Sequence, residues 1–509
     1  MNKLIDINLL KSFFNLCKSY HFEDKYKHLP DSGSGMAKVL SVDELDRPQW
    51  VRMDDMLNRL DYKDEESENA NEENIKQNSY GVRFKYSDMS GIERIGNLDL
   101  HRTCPIQNGF KGCIEQNGAI QYYLDENDWS KKADGTPSRL DGYDGNVSID
   151  TFNDFYINFT IKDTWAEVRI SYKKLGKDWI KVDRLLIHAF RSTRLTSVPK
   201  DMGWLSTLTT NSMVSVVNDN IRGGDGSVAY DSNSVFSSTK NKPTTSISRQ
   251  SAREYFRLNG YENINFYQYI YIFYWLYVIE YCNFNSQDEI MTDDPLLKYK
   301  RGGLGPSVTT LSDTEWSRFN GYRPIVPNGY FADCGNKTAF KTFNINITLA
   351  DGTIVNKQIQ THSWHGFQNI FGDIWTNVDG ATIIKEQVDG KWKTIWQFMK
   401  NPAKYVDIKS EIPDREIETS IVTSGWPYQI FFTDFGEIVP IRLGATSVTG
   451  TCDYHYWSQN TPACLLVGGR GYSGTYAGLG YLHISNSVDL SSIRVGFRGV
   501  ISPTQEAAA

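Results

Sequence analysis

The stretch Thr361–Gly380, THSWHGFQNIFGDIWTNVDG, holds side chains suited to two kinds of chemistry. His362 and His365 are three positions apart, a spacing that metal sites use on helices, and Asp373 and Asp379 follow them. No nearby cysteine and no HExxH arrangement completes a ligand set, so the sequence does not favour a metal site. The aromatic rings would suit stacking on a sugar, but they equally suit a core with few regular elements, and the core interpretation is favoured.

Motifs for catalysis are weak along the chain. No GxSxG nucleophile elbow and no phosphate-binding P-loop occur in the sequence, and GYSGTYAG at Gly471–Gly478 resembles the elbow only loosely. The carboxylates of DGYDG and TDDP could in principle serve a glycosidase, but no spacing singles out a pair. We therefore expect no enzyme, and no cofactor is implied.

The turn RLDGYDGNVSID places Asp141, Asp144 and Asn146 close together. Such oxygens could bind calcium, but the DxDxDG spacing is absent and no glutamate follows at the required position. A hairpin turn is the favoured interpretation.

Bulk composition narrows the function classes. The chain has 509 residues, 13% aromatic residues and a net charge of -7. Clustered lysines and arginines that would neutralise phosphates are missing, so we expect no nucleic-acid partner. The seven cysteines include no CxxC pair, which argues against a disulfide framework and a zinc ribbon. Cys452 and Cys464 could form a disulfide, although free buried thiols are favoured.

Four segments with different periodicity must position these residues. Residues 1–75 are predicted to be an N-terminal helical docking segment, with helices in INLLKSFFNLCKSY and SVDELDRPQWVRMDDMLNRL, and an acidic linker. Residues 76–217 alternate apolar and polar positions and predict a β-rich domain. Residues 218–300 predict a flexible loop and a helix pair, and residues 301–509 predict a loop-rich domain. The fold class is therefore predicted to be α+β.

The helix pair has clear boundaries. Ser248 or Ser246 is expected to cap a first helix that runs from Arg249 to about Leu258. The second helix, from about Asn265 to Asn283, is apolar on all sides and should be enclosed. Its length approaches a membrane span, but tyrosines and interrupting polar residues, Glu280 among them, favour a buried helix and no membrane insertion. No apolar signal region begins the chain, so we expect no secretory signal.

The C-terminal pattern and the helix pair resemble known families. The strand that ends at Gly468-Gly469, the Gly- and Tyr-rich loop that follows and the final Gly496-Phe497-Arg498 resemble the ending of C-type-lectin-like domains, and FGDIWTNVDG resembles their middle segment. The block SRQSAREYFRLNGYENINFYQYIYIFYWLYVIEYCNFNSQ resembles one in tail-fibre and other virion proteins of crAss-like and other Bacteroides phages. RLDGYDG and YYLDENDW resemble segments of the same proteins. The EPN and WND calcium motifs of sugar-binding C-type lectins are absent, so calcium-dependent sugar binding is not implied.

The resemblance implies a fibre or spike protein on the virion, assembled in the host cytoplasm with other virion proteins as a homotrimer. Its lectin-like domain would bind a host-surface glycan or protein. A purely structural head or tail subunit is the alternative, and a capsule depolymerase is less favoured. Ligand contacts are predicted in the loops: Trp364, His365, Trp375, Tyr454, Trp457, Tyr472 and Tyr476. Each has an interpretation as core or loop packing, and Trp375 and Arg498 are expected to be structural.

Overall fold

The computed structural model describes most of the chain in two compact units, residues 1–73 and 74–509. The described residues are 38–42, 48–52, 71–218, 243–289, 292–294, 296–318, 326–349, 351–431 and 433–504. The predicted helix in INLLKSFFNLCKSY, most of the acidic linker and most of the predicted loop at 218–247 lie outside these ranges.

The first unit contains a β-hairpin where a helix was predicted. Lys38–Val42 pairs antiparallel with Pro48–Arg52, and Leu40 lies opposite Trp50. The prediction of a helix through Trp50 is therefore wrong for these residues. Proline at position 48 disfavours a helix interior, and Trp and Val are strand formers, so local preference outweighed the helical spacing of the apolar residues.

The second unit begins with a five-stranded antiparallel sheet, here sheet 1. Its strands, in spatial order, are Ile180–Val182, Phe155–Ile161, Trp165–Ser171, Tyr80–Lys85 and Asp88–Gly96. Alternate side chains of Phe155–Ile161 are buried, as expected for a strand with one face on the core.

Sheet 2 joins segments from distant parts of the sequence. Its six strands are all antiparallel, in the order Glu262–Asn263, Gly499–Ile501, Leu186–His188, Asn146–Asp150, Lys111–Gln116 and Ala119–Tyr123. A strand near the C-terminus thus lies inside a sheet formed mainly by residues 111–188. Arg498 precedes this strand and donates hydrogen bonds to the carbonyls of His188, Ala189 and Gln368 from a buried position.

Sheet 3 carries most of the C-terminal region. Its seven strands are Arg415–Thr419, Lys391–Phe398, Trp375–Val388, Ala463–Gly468, Gly478–His483, His455–Tyr456 and Val495–Gly496. His455–Tyr456 runs parallel to Gly478–His483, and Val495–Gly496 runs parallel to Trp375–Val388.

Smaller sheets and short helices complete the described structure. A three-stranded sheet contains Ala339–Thr348, Ile354–Trp364 and Phe367–Gln368. The two-stranded pairs are Thr193–Arg194 with Met213–Val214, Thr292–Asp293 with Lys300–Arg301, and Pro427–Phe431 with Val439–Leu443. Short helical segments are Leu98–Thr103, Pro105–Asn108, Gly203–Thr207, Ser307–Thr310, Asp313–Arg318, Ala332–Cys334, Pro402–Lys404 and Gly474–Tyr476.

The predicted helix pair is confirmed. The first, here the arginine helix, is Arg249–Arg257, and the Ser248 side chain accepts a hydrogen bond from the Ser251 amide at its start. The second, here the aromatic helix, runs through α-helical Phe266–Tyr269, π-helical Ile270–Trp275 and α-helical Leu276–Tyr281. Asn265 and Gln268 form a capping box that fixes its beginning.

The aromatic helix lies in the core of the second unit. All its side chains except Gln268 are buried. Trp275 packs against Phe159 of sheet 1, with ring centroids 5.8 Å apart, and Phe266 stacks on Phe398 of sheet 3 at 4.7 Å. Mostly antiparallel sheets around a buried helix agree with the α+β class, while the boundaries expected at residues 217 and 300 stay predictions.

Candidate ligand-binding site

The predicted contacts Tyr454 and Tyr476 lie together beside sheet 3, Tyr454 just before the strand His455–Tyr456 and Tyr476 at the end of the short helix Gly474–Tyr476. Their rings stack with centroids 4.2 Å apart and planes 15° from parallel. The Tyr454 amide donates to the Tyr476 carbonyl at 3.2 Å, and the Leu482 amide donates to the Tyr454 carbonyl at 3.1 Å. Backbone bonds to the loop and to the neighbouring strand therefore hold Tyr454 in place, so the ring pair is part of the folded structure.

Three further rings extend this pair into a surface. The edge of Trp426 meets Tyr454 and Tyr476 at centroid distances of 4.7 and 5.0 Å. Tyr456 stacks on His483 at 4.9 Å with planes 14° apart. We call Trp426, Tyr454, Tyr456, Tyr476 and His483 the aromatic patch.

The patch is open to solvent, although its rings are packed against one another. Tyr456 and Tyr476 are 43% and 39% exposed, and the other three rings are partly buried. Most tyrosine surface is apolar, and its hydroxyl is a hydrogen-bond donor and acceptor. Such a preformed group of rings can stack on the C–H face of a sugar with little loss of side-chain freedom.

Buried residues support the patch from below. Trp375 is 2% exposed and contacts Tyr481 and His483 edge to face, with centroids 4.6 and 4.8 Å away. Its predicted structural role agrees with this position. Burial, together with Arg470 and His455, lowers the pKa of His483 to about 3, so its imidazole is neutral at physiological pH.

Asp453 directly precedes Tyr454 in the sequence, and its side chain is buried. One carboxylate oxygen accepts a hydrogen bond of 2.7 Å from the Gly480 amide, while the other has no partner among the described residues. Burial raises the pKa of Asp453 well above its usual value, and no cation contributes to that shift. The hydrogen bond from Gly480 therefore connects the residue before Tyr454 to the strand Gly478–His483.

Four predicted contacts lie away from the patch. Trp457 contacts Trp392, and its indole N–H donates to Thr394 at 2.8 Å. Tyr472 lies against the Arg470 guanidinium, 4.0 Å from the ring centroid. Trp364 is fully buried.

His365 is the fourth of these residues, and it does not form a metal pair with His362. His365 contacts the carboxylate of Glu280 at 3.0 Å, whereas His362 is buried and packs against Phe371. Among the described residues, no group of three or more His, Cys, Asp and Glu could hold a metal ion.

The three polar side chains of the turn at Asp141 each have a hydrogen-bond partner within the protein. Asp141 accepts from Arg139, Asp144 accepts from the Tyr122 hydroxyl, and the Asn146 amide donates to Tyr261. The two cysteines considered for a disulfide, Cys452 and Cys464, are both free and buried.

Tyr456, His483 and Trp426 were missed from the sequence. Tyr454 and Tyr456 are two positions apart, which places them on one face of an extended chain, so the spacing in DYHYW did carry the signal for Tyr456. No local pattern indicates Trp426, because it lies in a different segment of the chain and meets Tyr454 and Tyr476 only in the folded structure.

Comparison with known proteins gives no family. No protein-family model matches the chain, and no curated protein matches its sequence significantly. None of the helices in the described ranges has both the length and the hydropathy needed to cross a membrane.

Proposed function

We propose that this protein is a recognition protein that binds a carbohydrate through the aromatic patch. The observation that supports this most directly is the combination of packing and exposure at Tyr456 and Tyr476. Both rings are held by a stacked neighbour, yet each keeps about two fifths of its surface exposed. Exposed rings with fixed positions are the usual means by which proteins bind the apolar face of a sugar ring.

Binding rather than cleavage is the chemistry proposed for the patch. Glycosidic hydrolysis uses two carboxyl groups that flank the bond, with one of them ionised. The carboxyl adjacent to the patch, Asp453, is buried, and burial raises its pKa well above the usual value, which disfavours the ionised form that a nucleophile or base needs. The tyrosines and the neutral His483 supply stacking and hydrogen bonds instead.

The location proposed for this recognition is the surface of a phage particle. The resemblance of the helix pair to a block in phage virion proteins supports a fibre or spike subunit, and the resemblance of the C-terminal GG and GFR segments to the ending of C-type-lectin-like domains supports such a domain at its C-terminal end. On this proposal the ligand is a host-surface glycan, the chain forms a homotrimer, and other virion proteins hold it on the particle. Light scattering of the purified protein measures the subunit number.

The chain offers a matched pair of variants for testing the patch. Tyr476 and Tyr143 are both 39% exposed, but Tyr143 lies outside the patch, against Arg139. We expect Tyr476→Ala to weaken binding to host-surface polysaccharide about tenfold, which is about 1.4 kcal/mol. Tyr143→Ala should bind as the unchanged protein does. Binding to purified polysaccharide is measured by biolayer interferometry, with melting temperatures recorded for each variant.

Two outcomes would contradict the proposal. Equal binding of all three proteins would show that the patch is not the contact surface. Absence of any binding, together with a patch buried between subunits in an electron-microscopy map of the particle, would favour the purely structural virion subunit.

A further inference from the structure

A second polar site lies around His365, away from the aromatic patch. An open cleft of ≈ 830 Å³ is lined by residues of the segment 108–133, by residues 336–338, and by Lys300 and His365. This volume falls within the range of small-molecule sites. Phe110 and Leu124 give the cleft an apolar part, and both are themselves buried.

A buried carboxylate fixes the histidine of the cleft. Glu280, on the last turn of the aromatic helix, has a side chain with no exposure, and its two oxygens lie 3.1 and 3.0 Å from His365 Nε2. The Trp364 indole N–H donates to the same carboxylate at 3.1 Å, and Lys300 Nζ lies 3.4 Å from it. Although burial acts to raise it, His365 and Lys300 hold the pKa of Glu280 below its usual value.

The contacts of Glu280 leave one nitrogen of His365 for a ligand. Nε2 carries the proton that it donates to the carboxylate, so in the neutral ring Nδ1 is a hydrogen-bond acceptor for a hydroxyl group of a ligand. The backbone of His365 has a φ of 46°, in the left-handed region that is costly for a residue with a side chain. Strained residues of this kind cluster at ligand-binding positions, where the surrounding structure holds them.

Asn336 presents a second oriented group. Its side-chain oxygen accepts hydrogen bonds of 2.9 Å from the Gly112 amide and from the Trp129 indole. These two bonds determine which way the amide lies, so its NH₂ group is the part that is free to donate. A fixed donor at the lining of a cleft is a common feature of sites that recognise oxygen-rich ligands.

The charges of the cleft favour an anion. Lys111, Lys300 and Lys337 line it, against the carboxylates of Asp125 and Glu126. Asp125 already accepts two backbone amide hydrogen bonds, at 2.9 and 3.0 Å. Lys300 is paired with the Glu280 carboxylate, so Lys111 and Lys337 are the lysines of the lining that can attract a negatively charged ligand group, against Glu126 and the engaged Asp125.

We infer that this cleft is a second binding site, which takes a small hydroxylated ligand bearing a carboxylate or a phosphate, with His365 as the acceptor for its hydroxyl and Asn336 as a donor to its oxyanion. Glu280 acts through His365 and is a positioning residue. This site is independent of the aromatic patch, because the two share no residue.

The test uses the full chain and four defined probes. Sodium glucuronate carries a carboxylate, glucose 6-phosphate carries a phosphate, inorganic phosphate lacks the sugar, and methyl glucoside is the uncharged control. Binding is followed by ¹⁵N spectra of protein labelled at its 8 histidines. We expect a charged probe, but not methyl glucoside, to shift the Nδ1 signal of His365. The charged probe that binds identifies the anion.

Charge-reversal variants make the inference falsifiable without disturbing the core. Lys337 and Lys162 are both exposed, but only Lys337 lines the cleft. Lys337→Glu should weaken probe binding about tenfold, Lys162→Glu should not, and Tyr476→Ala should bind the probe unchanged. Failure of every anion to bind at millimolar concentration, or equal weakening by both lysine variants, would overturn the inference. Loss of probe binding in Tyr476→Ala would overturn the independence of the two sites.

Discussion

Asp453→Asn should make the protein more stable at neutral pH. The Asp453 carboxyl is 1% exposed, receives one hydrogen bond, from Gly480, and lies near Tyr274 and Cys452. Burial of an ionised carboxylate without a cation is costly, so the folded protein holds the proton of Asp453 to a higher pH than the unfolded chain does. Asparagine has the same shape, can accept the same hydrogen bond and has no proton to lose.

The magnitude follows from proton linkage. The folded pKa of Asp453 is raised, so above the usual value of 3.8 the folded protein binds one proton more than the unfolded chain. Stability of the unchanged protein therefore falls by about 1.4 kcal/mol for each pH unit until the raised pKa is reached. Asp453→Asn removes this loss, so its advantage should grow by the same amount per unit, about 2.7 kcal/mol over two units.

Thermal unfolding at a series of pH values between 4 and 7 measures this difference. For a unit of this size, each kcal/mol corresponds to roughly 1 °C in melting temperature. Asp489→Asn is the control, because Asp489 is exposed in the same region. The reasoning would be refuted if the difference in melting temperature between Asp453→Asn and the unchanged protein stayed constant with pH. It would also be refuted if that difference became smaller towards pH 7.

Three further outcomes are expected. Asp379→Asn should destabilise the fold by about 1–3 kcal/mol in denaturant unfolding, since the buried Arg253 loses a two-bond ion pair and keeps only its 3.3 Å contacts with Asp407; an unchanged midpoint would contradict this. Gly471→Ala should cost about 1–3 kcal/mol by the same measurement, because a methyl group would overlap the buried Trp316 ring. Cys282, whose pKa burial raises to about 11, should react slowly with Ellman's reagent at pH 8 in the native protein and quickly after denaturation.

Local sequence signals predicted the helix pair well. Ser248, Asn265 and Gln268 are capping residues at the positions where the helices begin, and an apolar surface on all sides indicated burial. Their tertiary partners could not be read in the same way. Arg249 and Arg253 both bond to Asp407, which is more than 150 positions away.

Glu280 shows that one sequence feature can support two inferences, one against a membrane span and one for a polar site nearby, of which only the first was drawn from the sequence. In the sequence, Glu280 interrupts an apolar run and so argues against a membrane span. A carboxylate in an otherwise apolar, buried helix also requires cationic or hydrogen-bonding partners, and that requirement predicts a polar site nearby. Which residues supply the partners depends on tertiary contacts, here His365 at a separation of 85 positions.

The stretch Thr361–Gly380 connects both proposed sites and belongs chiefly to the core. His365 lines the cleft, Trp375 lies under the aromatic patch, and Asp379 binds the arginine helix. Substitution of its buried tryptophans by alanine would cost about 3–5 kcal/mol in packing, so loss of binding in such a variant could not be separated from loss of fold. The exposed residues Tyr476 and Lys337 avoid this difficulty, because each changes one surface while the scaffold beneath stays intact.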